Sequence, residues 1–169
     1  MPATTIATAG SDQPVYGAMF SIDAIKRANR ESGSHYFDAD TMRFFGSRVL
    51  PTVIAGRMFV TSERSGFDHD SARRYSVREF MPDASIETVG EFGEFSSSAA
   101  AQRAARRYAA ESHAYYFDGQ HGKGGRKVVY VVTAADAWAA LERLHSNFRV
   151  FHCGHAADYM TTENGYVIL

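Results

Sequence analysis

The sequence predicts an α+β fold in which a twisted antiparallel or mixed sheet is packed by two or three helices. Three observations carry that expectation. Apolar residues fall at helical spacing in stretches near 22–32, 99–111 and 134–145. Runs that are rich in Val, Tyr and Phe, or that alternate in polarity, lie between and after those stretches. Short segments bearing Gly, Pro, Asp or Ser separate the two kinds of run. Apolar residues make up 45% of the 169, enough to fill the core of one domain.

Taken in order, residues 1–14 are small and polar and read as a loose arm. Ser21 can cap a helix over 22–32, with Ile22, Ile25 and Ala28 on one face and Gly33 as its stop. His35-Tyr36-Phe37 reads as a short strand. Asp40 reads as the cap of a helical turn, Thr41-Met42-Arg43-Phe44-Phe45, closed by Gly46. Two strands, Val49 to Ile54 and Arg57 to Ser62, are expected around a tight turn at Ala55-Gly56. Residues 64–72 read as an exposed loop. Arg74 to Phe80 alternates like a half-buried strand, with Tyr75, Val77 and Glu79 on one face. After a turn at Pro82-Asp83, Ser85 to Val89 offers another strand.

Ser97 or Ser98 caps the clearest helix, Ala99 to about Glu111, whose alanines are strong helix formers and whose Arg103, Arg106 and Arg107 make a basic face. Ala114 to Phe117 is a short aromatic strand, and 119–126 a glycine-rich connection. Lys127 to Val132 reads as a central strand. Thr133 is the expected cap of a helix over Ala134 to His145, with Trp138, Leu141 and Leu144 facing the core. Phe148 to Phe151 and Tyr166 to Leu169 are the last strands. Residues 26–38 (KRANRESGSHYFD) align without gaps to 106–118 (RRYAAESHAYYFD), each reading as a helix end entering an aromatic strand. Residues 15–169 are expected to form a single domain. The echo leaves open two weakly related halves, about 15–95 and 96–169.

The formal net charge of −1 argues against a general nucleic-acid coat and against an acidic DNA mimic. Cys153 is the one cysteine, so no intrachain disulfide can form and a reducing compartment, the cytoplasm, is expected. The first residues carry neither a basic n-region nor an apolar run, and no apolar stretch approaches the length of a membrane span. Neither a signal peptide nor membrane association is expected.

Arg43, Ser47, Arg48, Ser62, Glu63, Arg73 and Arg78 lie in short elements that can converge. Arginine suits two-pronged recognition of carboxylate or phosphate. Arg43, Arg48, Glu63 and Arg78 are therefore the candidate residues for a ligand or partner. The plainer alternative is internal ion pairing. Phe44 and Phe45 sit about 100° apart on a helix. If the turn lies deep, both rings are buried and Arg43 and Arg48 are held rigidly at the surface.

Arg103, Arg106, Arg107, Lys123 and Arg126 are the candidates for nucleic acid, with Tyr115, Tyr116 and Phe117 close to the latter two in sequence. The run His121-Gly122-Lys123-Gly124-Gly125-Arg126 lacks the order of a phosphate-binding P-loop and precedes a strand, so a flexible hairpin is the better reading. His152-Cys153-Gly154-His155, with Asp158 or His145, has metal-ligand residue types but no paired CxxC. It reads better as a loop holding a buried cysteine, and no metal or cofactor is expected. No catalytic set emerges; adjacent Cys and His residues rarely face each other as nucleophile and base. Met19, Met42, Met58 and Met81 read as core.

The stretch Ile25 to Phe95 resembles an uncharacterised domain found in small proteins of phages, plasmids and actinobacterial or proteobacterial genomes. The residues that carry it are His35-Tyr36-Phe37-Asp38, the block Thr41-Met42-Arg43-Phe44-Phe45-Gly46-Ser47-Arg48, Phe59-Val60-Thr61-Ser62-Glu63, and Arg73-Arg74-Tyr75-Ser76-Val77-Arg78-Glu79-Phe80. The resemblance covers under half of the chain. It implies a mobile-element setting and no particular chemistry. The function expected from all this is a non-enzymatic accessory or inhibitor protein that binds a protein partner, a host defence factor being one concrete target. Nucleic-acid binding and the binding or turnover of a small anionic ligand or nucleotide are the alternatives.

Overall fold

A computed structural model describes residues 20–64, 70–159 and 166–169, with the backbone alone for 158 and 159. The expected arm over 1–14, Met19 and most of the expected loop at 64–72 lie outside the described residues. The fold is α+β. The chain divides into two compact units: unit 1 takes the residues up to Phe80 and Ala84–Tyr108, and unit 2 takes Met81–Asp83 and the residues from Ala109 onward.

Unit 1 contains α1 (Ile22–Glu31), α2 (Ala39–Phe44), β1 (Arg48–Val49), β2 (Met58–Glu63), β3 (Arg74–Phe80), β4 (Ile86–Val89) and α3 (Ser98–Ala109). Its sheet has the order β1-β2-β3-β4 and is antiparallel throughout. The sequence reading of α1 holds. Ser21 Oγ accepts from the Ala24 amide at 3.1 Å, Ala24, Ile25 and Ala28 are buried, and Gly33 takes a left-handed φ of 84°. Ala55 and Gly56, with φ of 50° and 74°, make the expected reversal before β2. The strand before it shrinks to β1, because Pro51 has no N–H to offer a ladder.

Three expectations in unit 1 are corrected. Tyr36 and Phe37 lie in a turn, not a strand. The residue that stands at the N-cap of α2 is Asp38, whose carboxylate sits 2.6 Å from His35 Nδ1. Finally, β3 is not half-buried: its last five residues and all six of β2 are buried, so the sheet is covered on both faces there.

Unit 2 contains β5 (His113–His121), β6 (Lys127–Ala134), α4 (Ala137–Glu142), β7 (Phe148–His155), α5 (Ala156–Tyr159) and β8 (Val167–Ile168). Its sheet has the order β7-β5-β6-β8, antiparallel except for the parallel β6–β8 pair. Met81, Tyr115, Phe117, Val132, Ala137, Ala140, Leu144, Phe148 and Cys153 form its core. The expected helix over 134–145 is shorter than its apolar pattern. Thr133 and Ala134 pair with Ala114 and His113, extending β6, and Asp136 becomes the cap, its Oδ1 accepting from the Ala139 amide at 2.8 Å. The glycine-rich connection narrows to 122–126, with Gly122 and Gly124 in the left-handed region. The strand from Phe148 runs on to His155, so His152-Cys153-Gly154-His155 is not a loop. The internal echo persists only in part: both stretches begin as the end of a helix, but 113–118 is strand, whereas 35–38 is turn and helix cap. No helix among the described residues is long and apolar enough to cross a membrane.

Candidate functional site

Strand alternation places Thr61 and Glu63 on one face of β2, and the register sets Ser76 opposite Thr61 and Thr88 opposite Arg78. These residues form one buried polar set. Arg78 Nη2 donates to Glu63 Oε1 at 3.0 Å, its Nε donates to Thr61 Oγ1 at 3.0 Å, and its Nη1 bonds Thr88 Oγ1. Glu63 also accepts from Ser76 Oγ at 3.1 Å and from the Thr61 hydroxyl. A buried charge pair is tolerable only when its remaining donors and acceptors are met in this way. A second buried pair, Arg57 Nε to Glu79 Oε1 at 2.9 Å, joins the turn before β2 to β3.

Two rings flank the Arg78 guanidinium: Tyr36 at 5.6 Å and Phe92 at 5.3 Å. Burial holds the Tyr36 phenol above the ordinary tyrosine range, against the opposing pull of the Arg78 charge. Phe92 is 55% exposed. The loop that carries it is tied to β3: Arg74 Nε donates to the Gly93 carbonyl at 2.8 Å, the Gly93 amide donates to Ser76 Oγ at 2.8 Å, and Tyr75 and Phe95 exchange two backbone bonds.

From Phe92 the rings continue outward. Phe45 lies 5.9 Å from Phe92, and Phe44 stacks edge-on against Phe45 at 4.8 Å. Phe44 and Phe45 are 47% and 36% exposed, so the expectation that both are buried is overturned. The reason is that α2 buries no residue at all; the short helix lies at the surface. The turn after it is nonetheless fixed. Arg73 Nη1 donates to the carbonyls of Gly46, at 2.9 Å, and Ser62, and the Arg64 amide donates to the Phe45 carbonyl at 3.0 Å. Partial burial and then the charges of Arg48 and Arg64 lower the pKa of Arg73.

The four ligand candidates are thus divided. Glu63 and Arg78 form the buried pair, while Arg43 and Arg48 are exposed, Arg43 meeting only the exposed Asp40, at 3.4 Å, among the ion pairs seen. Sequence reasoning missed Phe92 and Tyr36 and misplaced Phe44 and Phe45. The available signal was two adjacent phenylalanines in a short helical turn, about 100° apart, which do not share one face.

Of the nucleic-acid candidates, Arg103, Arg106 and Arg107 are exposed on α3, whose buried face is Ala101 and Ala105, and Lys123 and Arg126 are exposed in the β5–β6 turn of unit 2. Cys153 is buried in the core of unit 2, and its amide donates to Asp83 Oδ2 at 3.1 Å. His152 points to the surface, 3.6 Å from the same carboxylate. Among the described residues no three His, Cys, Asp or Glu side chains are grouped as metal ligands would be.

Comparison with known proteins finds one family model, described as a family of unknown function (DUF7447), over residues 21–107. It spans α1 through nearly all of α3 and stops one residue short of the end of unit 1. No curated protein and no solved structure matches the chain.

Proposed function

The chain belongs to that family of unknown function, and we infer that it acts without catalysis, by binding an acidic protein partner through the Phe44–Phe45–Phe92 face of unit 1. One observation carries this reading: three phenylalanines, each more than a third exposed, form a chain of ring contacts from Phe44 through Phe45 to Phe92, on segments tied by hydrogen bonds from Arg73 and Arg74. Rigid exposed aromatics fringed by arginine are the usual energetic centre of a protein interface. The exposed Arg43 and Arg48, which flank the two rings in sequence, supply cations that favour an acidic partner. Catalysis is disfavoured by the engagement of Glu63 and Arg78 with each other and with Thr61, Ser76 and Thr88. The setting that fits is that of an accessory or inhibitor protein of a phage or other mobile element at work in the host cytoplasm, with a host defence factor as one target.

The test is affinity capture from bacterial host extract with wild type, Phe44→Ser and Phe92→Ser. One protein should be retained by wild type and lost by both variants, whose melting temperatures stay close to wild type because the rings are exposed. Retention by both variants, or capture of nucleic acid in place of protein, overturns the reading.

A further inference from the structure

Unit 2 carries a surface of different chemistry. Gln120 of β5 stands in register with Lys127 of β6 on one side and with Arg149 of β7 on the other. Directly opposed residues share a face of a sheet, so the three form a row across the strands. The row lies on the face away from Tyr115 and Phe117, which are fully buried. Lys127 and Arg149 are exposed, and the turn that leaves the row adds the exposed Lys123 and Arg126.

Beside the row the strand pairing is irregular. Asp118 opposes His152 and Gly119 opposes Val150, so Phe151 is the extra residue of a bulge. Its ring is 40% exposed and lies 5.6 Å from the Arg149 guanidinium. Asp118 is the acidic residue of the neighbouring row and is half-buried.

We propose that this end of unit 2 binds single-stranded nucleic acid, with Phe151 stacking on a base and Lys123, Arg126, Lys127 and Arg149 tracking the phosphates. Four cations beside an exposed ring on a strand face match a charged backbone with unstacked bases. A duplex keeps its bases stacked on one another and offers the ring nothing. The near-neutral charge of the whole chain does not oppose this, because the cations are concentrated locally. Its residues belong to unit 2 and those of the Phe44–Phe45–Phe92 face to unit 1, so Phe44→Ser changes none of them.

Fluorescence anisotropy of the full chain with labelled oligo(dT) at several salt concentrations tests the proposal. Binding should weaken with salt with a log–log slope of about −3, the value for roughly four phosphates contacted on a single strand. Phe151→Ala should weaken it about tenfold, and Lys127→Ala and Arg149→Ala should each make the slope shallower by about 0.7. Any of three results overturns the proposal: no binding at low salt, equal affinity for duplex, or loss on Arg106→Ala while Phe151→Ala binds as wild type.

Discussion

At the scale of single residues, the charged groups of unit 1 were legible as charges but not as buried ones. Glu63 and Arg78 stand out in the sequence, yet nothing in a local window shows that both faces of β2 and β3 are covered. Their burial makes them structural. Replacing Arg78 by Met leaves Glu63 buried without its counter-ion and should cost about 3–5 kcal/mol in a urea titration, whereas Arg43→Ala should leave the midpoint where it is. Equal effects of the two would mean that the pair is not buried in solution. Tyr36 adds a pH dependence. Its phenol is held above the ordinary value near 10, chiefly by burial. The folded chain therefore keeps a proton that the unfolded chain gives up, and the slope of stability against pH is negative over that interval. The stabilising contribution is whole below pH about 10 and is lost as pH climbs through the folded pKa. Urea midpoints of wild type should fall more steeply above that pH than those of Tyr36→Phe; parallel curves would remove Tyr36 as the cause.

At the scale of elements, legibility followed how far local rules agreed. For α1, the cap at Ser21, the apolar stripe and the stop at Gly33 all point to one helix, and the helix is there. Over 133–145 they conflict. Thr133 is a fair cap and a good strand residue, and pairing with Ala114 decides for the strand. The helix then starts only after Asp136. Asp136→Ala should cost about 1 kcal/mol in a thermal or urea melt, the value of a lost N-cap, and Thr133→Ala should not show that loss. The bulge between β5 and β7 is another feature no sequence window reveals. A Cβ on Gly119 would overlap the Arg149 carbonyl and stand 2.8 Å from the Phe148 ring. Gly119→Ala should therefore break the β5–β7 pairing, seen as lost amide protection in both strands, while Gly122→Ala, with open space around its Cβ and only its φ of 60° to strain it, should not.

At the scale of the whole molecule, the family match and the contact pattern draw nearly the same boundary, at 107 and 108. Charge and polarity along the sequence do not mark it, because α3 runs through the border without a linker. Nor does any local signal show that the chain leaves unit 1 at Met81, contributes three residues to unit 2, and resumes unit 1 at Ala84. Met81 is fully buried in the core of unit 2, and Asp83 accepts from the Cys153 amide. Deleting the Met81 side chain removes apolar contacts and leaves a cavity, together worth about 2–5 kcal/mol. The residue lies directly after the last residue of β3, so an argument from chain position assigns the damage to the sheet of unit 1. An argument from packing assigns it to β5, β6 and β7. Native-state hydrogen exchange separates the two: in Met81→Ala the amides of 115–117, 129–132 and 148–153 should lose protection, while those of 58–63 and 76–80 keep theirs. Loss confined to 58–80 would place Met81 in the other core and undo the division of the chain into these two units.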